Sequence, residues 1–251
     1  MDLLGPGDPH PVFAERTGSD ARFLFVCDHA GRATPQSLGG LGLAAEAFDL
    51  HIAWDIGAGA VAQRLAAGFG ASCFLQRYSR LVIDCNRDPA RQDAIPAASD
   101  GVVIPGNQNL DTRTRAARVE AIHAPYHAAV SAELDRRTAW GRPTVPIFVH
   151  SFTPRMAGVD RPWSFGVLHE GSSRFSRLML DQLRALGQGP VGDNAPYAMD
   201  EVDYSAPTHA LARGLDYLEL EIRQDLIADE DGQARVADLL VEALTTSARR
   251  L

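Results

Sequence analysis

The chain has 251 residues, a net charge of -8 and a hydrophobic share of 45%, enough to grow one continuous core within a single large domain. The acidic balance excludes the clustered positive charge that nucleic acids and anionic membranes require, so small-molecule chemistry is favoured. All 24 basic residues are arginine. The absence of lysine excludes a Schiff base, a pyridoxal-phosphate anchor and a Walker-type phosphate loop.

Residues 1–21 read as an extended segment with no basic start and apolar stretch, so no signal peptide is visible. Phe23–Cys27 (FLFVC) is an unbroken apolar run that predicts a buried strand, delivering Asp28 and His29 at its carboxyl end. Apolar residues at mostly helical spacing predict a helix over residues 48–68, closed by Gly68 and Gly70. Short strands are expected at 71–75 and 81–85, the second leading into Asp84, Asn86 and Arg87. Prolines and glycines make residues 88–110 a long loop that covers the site.

A helix over 112–140 is expected to bend or break near Pro125. Strands at 145–149, 165–168 and 217–222 and helices at 175–186 and 234–248 complete the order. The alternation predicts an α/β sandwich on a largely parallel or mixed sheet, with ligands at the strand carboxyl ends. No run approaches the roughly 20 apolar residues of a membrane span. Cys27, Cys73 and Cys85 lack metal-ligand spacing and read as structural thiols of a reducing, cytoplasmic compartment.

Polar clusters follow several of the apolar runs: Asp28 and His29, then Asp84, Asn86 and Arg87, then His150 and Ser151, with Glu221 and Arg223 in YLELEIRQD. If these strands share a sheet and a direction, one rim gathers imidazoles, carboxylates and guanidinium groups, as a hydrolytic metal site with an anion clamp needs. His29 and His150 suit zinc, whose catalytic sites take three protein ligands and leave one position open. His51 and Asp55, four apart on the expected helix, supply the third: Asp55 leads and His51 is the reserve. Glu221 is the candidate proton shuttle. Glu219 alternates with it and shares its face.

His123 and His127 would also suit a metal by spacing, but Pro125 between them favours a structural or substrate-contact role. No Gly-x-Ser-x-Gly elbow and no Gly-x-Gly-x-x-Gly follows a strand, which disfavours a serine hydrolase and a dinucleotide enzyme.

The segments CDHAGRATP (27–35), HIAWDIGA (51–58), SRLVIDCNRDP (79–89), HSFTP (150–154), RPWSFGVLH (161–169), DNAPY (193–197) and LEIRQDL (220–226) together resemble the N-formylglutamate amidohydrolase family over roughly residues 22–227. The resemblance implies a three-layer α/β/α sandwich with a mixed central sheet, like that of zinc carboxypeptidases, succinylglutamate desuccinylase and aspartoacylase. It also implies a metal-activated water acting on a small N-acyl amino acid, N-formyl-L-glutamate foremost.

Asp84-Cys85-Asn86-Arg87 resembles the Asp-Leu-Asn-Arg motif that holds the substrate carboxylate in those relatives, and Glu221 resembles their catalytic glutamate. One departure stands out: Arg32 occupies the position, three residues after the first histidine, where the relatives carry a glutamate ligand. Arg32, Arg80, Asn194 and Tyr197 become candidate substrate contacts, with His209 a weaker one. The alternatives are a related carboxypeptidase or deacylase with another small substrate, and a non-catalytic binder of carboxylate metabolites.

Overall fold

A computed structural model describes residues 2–199 and 203–251. Its strands are β1 (Val12–Glu15), β2 (Phe23–Cys27), β3 (Ser72–Gln76), β4 (Ala98–Ser99), β5 (Val102–Val103), β6 (Val145–Phe152), β7 (Arg155–Met156), β8 (Val159–Asp160), β9 (Phe165–Leu168), β10 (Val191–Asp193) and β11 (Leu218–Arg223). Its α-helices are α1 (Ala58–Phe69), α2 (Thr112–Arg118), α3 (Ala124–Ala139), α4 (Arg174–Leu186), α5 (Ser205–His209) and α6 (Glu230–Ala248).

Seven strands form one mixed sheet in the order β1-β3-β2-β6-β11-β9-β10. Its centre, β3-β2-β6-β11, is parallel, while β1 and β9 run antiparallel to their inner neighbours. Every residue of β2 and β3 is buried, as expected for parallel strands covered on both faces. One apolar cluster packs Phe25, Ile147, Val149 and Leu220 against α1, α4 and α6; the other packs Leu24, Val26 and Phe148 against α3 and the loops near it. The expected α/β architecture with a mixed central sheet is therefore present.

Connectivity sets the location of the site. The chain leaves β2 through α1 to reach β3 on one side, and later returns as β6 on the other side of β2. The carboxyl ends of β2 and β6 thus flank the switch in winding direction, where open α/β sheets leave a crevice.

Three local expectations differ from the structure. The helix expected over 48–68 begins only at Ala58. Residues 50–57 are turns in which the Asp55 amide donates to the His29 carbonyl, and Gly57 (φ 78°) brings the backbone against the Ile227 carbonyl. A Cβ there would collide with that oxygen, so the left-handed glycine is what allows the approach.

The strand expected at 81–85 is instead a buried succession of turns: Val82 donates to the Ser79 carbonyl, Asp84 to that of Ala94, and Arg87 to that of Asp84. Its apolar run is buried in the cluster on the α3 face of the sheet, and so burial alone imitates a strand. Helical backbone, finally, runs unbroken from Thr112 to Ala139, through a π-helical stretch at residues 119–123. Pro125 is the second residue of α3, directly after the π turn, whose wider winding accommodates the donor that proline lacks.

Additional features were not anticipated. Within the N-terminal segment β1 joins the sheet edge. In the long loop, β4 and β5 form a hairpin. On α3, Glu133 and Arg137 are both fully buried. Arg137 donates to Glu133 Oε1 at 2.8 Å, Ala21 O at 2.7 Å and Ser72 Oγ at 3.0 Å. This satisfied ion pair ties the helix to the start of β3 and the residues before β2, in a buried position where an unpaired charge would be costly.

Candidate metal centre

Four polar side chains meet where β2 and β6 end. His29 lies two residues past β2, after Asp28, and His150 lies inside β6, beside Glu221 of β11 in register. The turn before α1 carries Asp55 into the space between the two imidazoles. Asp55 Oδ2 lies 2.9 Å from His150 Nδ1 and 3.3 Å from His29 Nδ1, and it accepts the Ser151 amide at 3.3 Å. One ligand atom from each of His29, Asp55 and His150 falls within 4.8 Å of the others, and all three residues are buried.

The far side of each ring is backed by a carboxylate. His29 Nε2 donates to Asp84 Oδ1 at 2.7 Å, and His150 Nε2 lies 3.5 Å from Asp28 Oδ2. At His29 that is the arrangement in which a second carboxylate fixes the tautomer and aims the other nitrogen at an ion, while Asp28 places negative charge beside His150. Asp84 also accepts a forked pair from Arg80, at 3.1 and 2.7 Å, while Arg80 reaches Asp55 Oδ1 at 3.4 Å. Buried Asp28 has neither oxygen hydrogen-bonded, an expensive state unless positive charge stands close by.

Titration behaviour carries the same demand. Burial opposes ionisation of Asp55, but His29 and His150 outweigh it and hold its pKa low. Against burial, Arg80 and His29 keep Asp84 well below the usual carboxylate range. Burial and Arg80 disfavour a charged His29, yet Asp84 and Asp55 raise its pKa; Asp28 and Asp55 overcome burial to raise that of His150 further. Three ionised acids thus draw cationic charge onto two imidazoles. A divalent cation among the two Nδ1 atoms and Asp55 would meet that demand, and the residues present fit one.

The group lies at the floor of a cavity of about 360 Å³, which also exposes Arg80, Asn86, Arg87, Tyr197 and Glu221. The long loop contributes Asp93, Pro96 and Ser99 to its wall, in line with its reading as a cover. Glu221 Oε2 is buried without a hydrogen bond. Burial, partly offset by His150, pushes its carboxyl up to about 7. Glu219 is raised further by burial and by Asp203.

Asp84, Asn86 and Arg87 reach the cavity from a loop and not from a strand end. His51 reaches the cavity wall but pairs with Asp100 at 3.2 Å, and with no helix at 50–57 the shared helical face proposed for His51 and Asp55 does not exist.

Among the described residues, Arg32, Asn194 and Arg223 do not line the cavity. Arg32 pairs with Asp49 and lies over the Trp54 ring, Asn194 holds the backbone of His169, and Arg223 pairs with Asp225. Each is already engaged by a carboxylate, an aromatic ring or a backbone group, up to 25 residues away, which an isolated motif does not reveal. Sequence reasoning left Asp28 without a role, although its place beside His29 on an extended strand end was a usable signal.

His123, His127 and His209 stand apart from the ion-sized space. Burial is the main cause that lowers His127 to about 3 and His209 to about 4. Both are neutral in the folded protein, whereas an unfolded histidine titrates near 6.5. Their stabilising effect is therefore complete above pH 6.5 and falls as the pH drops toward 4, by about 1.4 kcal/mol per pH unit for each ring. The expected result is that His209→Gln removes about one proton from the acid-side slope of urea stability between pH 6.5 and 4.5. An unchanged slope would show that His209 is not buried in its neutral form.

Fold and site together define an α/β protein with a buried His-Asp-His group at a strand-end cavity. The N-formylglutamate amidohydrolase family model matches residues 21–228, and the chain belongs to that family. A solved gene product of Agrobacterium tumefaciens is similar over 99% of this chain and 98% of its own, at 39% identity and a TM-score of 0.95. The N-formylglutamate amidohydrolase of Ralstonia eutropha shares the fold, with a TM-score of 0.71 and 18% identity over 96% of this chain and 98% of that one. Among curated proteins, none matches the sequence. No helix among the described residues is long and apolar enough to cross a membrane.

Proposed function

We propose that the protein hydrolyses the amide of a small N-acyl amino acid, N-formyl-L-glutamate foremost, to the free amino acid and an acid, as a cytoplasmic enzyme. The observation that carries this reading is the placement of Glu221 beside His150, in one cavity with the His29-Asp55-His150 group. The volume falls within the range of pockets for small ligands.

His29, Asp55 and His150 are the ligands in this reading, and zinc suits two imidazoles and a carboxylate with an open position. Such an ion supplies Lewis acidity toward the amide carbonyl and acidifies the attacking water. Glu221 takes the proton of that water on its carboxylate and delivers it to the departing amine nitrogen, a task for which a pKa near neutrality is suited. Asp84 and Asp28 keep the imidazoles aimed. Arg87, with Asn86 beside it, binds the substrate carboxylate through a forked set of donors. Arg80 and Tyr197 line the same cavity.

Release of free amino acid from formyl, acetyl and succinyl derivatives of glutamate tests this reading. The formyl compound is expected to show a kcat/KM about tenfold or more above the others, the size of effect that acyl length has in a pocket fitted to one substituent. Failure to cleave any of them, with a ligand-dependent rise in melting temperature, would favour a metabolite binder.

A further inference from the structure

The cavity loop is held from behind by a histidine cluster that the proposed reaction does not use. His127 Nε2 lies 2.8 Å from the Cys85 carbonyl, and His123 Nε2 lies 3.0 Å from that of Arg87. These carbonyls flank Asn86, so two rings pin the backbone on either side of a cavity residue. A carbonyl only accepts, and each Nε2 must therefore carry the proton.

The hydrogen-bond direction then follows outward from His127. With burial keeping the ring neutral, its Nδ1 is a lone pair, and His209 Nε2, 2.8 Å away, donates to it. His209 Nδ1 is left as an acceptor, facing the Ser131 hydroxyl at 3.4 Å. The planes of the His127 and His209 rings meet at 20° with centroids 5.1 Å apart, the in-line geometry of that bond, and Tyr204 packs on His123 and His127 at 5.2 and 4.8 Å.

The chain closes on the same loop. Asn86 Oδ1 accepts the Tyr204 and Ser205 amides at the start of α5, and His209 ends that short helix. One side of the cavity is thereby joined to the helix through its first turn and through the histidine pair.

We propose that His127 is a positioning residue for Asn86 and Arg87, held in its Nε2-protonated tautomer by a one-way chain from Ser131 through His209, with His123 as its companion on the Arg87 carbonyl. The inference rests on the reading that these two residues face the substrate.

Two variants separate it from general stabilisation. In His127→Gln the amide nitrogen reaches the position of Nε2 and keeps the donor to Cys85; His127→Leu removes it. With metal-replete enzyme and N-formyl-L-glutamate, His127→Leu is expected to raise KM about tenfold, the value of one buried hydrogen bond, while kcat stays within about threefold. His127→Gln should restore KM to within about threefold. A fall in kcat at constant KM, or equal losses in both variants, would overturn the proposal.

Nitrogen-15 spectra of the wild-type histidines give a reading that does not depend on turnover. Protonated Nε2 and bare Nδ1 are expected on both His127 and His209, and the opposite tautomer on either ring overturns the chain. Should no N-acyl amino acid be cleaved, the functional reading fails, and amide exchange decides this one. Exchange at Asn86 and Arg87 about tenfold faster in His127→Leu, but not in His127→Gln, supports the clamp, and unchanged exchange refutes it.

Discussion

Glu221→Gln is expected to lower kcat by about 10²–10⁴-fold, the range for loss of a positioned general acid–base group, with retained fold and ion content. The side chain has one neighbour of each kind that the role requires: His150 in register on β6, and the open cavity. On its other side is Gly166, where a Cβ would meet the Ala195 carbonyl and crowd Glu221 Cβ. The missing side chain leaves room for the carboxylate.

Glutamine fills the same volume but cannot take a proton. Its effect on stability has the opposite sign. The folded carboxyl is raised to about 7 chiefly by burial, so in the ion-free protein its charge is a cost that grows as pH rises from 4.5 through 7. Ion-free Glu221→Gln should therefore melt at or above the wild-type temperature at pH 8. A variant that loses activity only because it unfolds would contradict the assignment.

Asp55→Ala is expected to abolish ion binding, reducing zinc held at equilibrium dialysis from one equivalent to near none, and activity with it by about 10³-fold or more. Asp55 Oδ2 is the acceptor shared by both Nδ1 atoms and by the Ser151 amide, so its removal takes away a ligand and the alignment of the other two. Asp84→Asn should be milder, weakening zinc affinity by about 10–100-fold, because Asp84 acts on the far side of His29. Retention of one tight zinc by Asp55→Ala would show that the ion belongs elsewhere.

The parts of the site legible in the sequence are those carried by regular strands. His29 lies two residues past FLFVC, and His150 follows VPIFV within β6, because in both strands the buried apolar run gives way to polar residues only near the carboxyl end. Asp55 is different: its meeting with the histidines does not come from helical spacing, since residues 50–57 are turns held by the Asp55 amide and Gly57.

Residues 81–87 read from sequence as a strand and its end for a related reason. A buried loop and a buried strand have the same hydropathy, and only long-range bonds such as Asp84 to the Ala94 carbonyl and Asn107 to Leu81 tell them apart. The clamp of His123, His127 and His209 was equally hidden, because its partners are backbone carbonyls and a residue 82 positions away. Side-chain pairing across such separations leaves no periodic trace.

The central claim is that buried His29, Asp55 and His150 hold a divalent ion on which amide cleavage depends. Stripping the purified protein with a chelator, then titrating zinc while following formate release from N-formyl-L-glutamate, tests it most directly. The account predicts no turnover in the stripped protein and full recovery at one equivalent of zinc. Undiminished formate release from protein shown to contain no metal would contradict it.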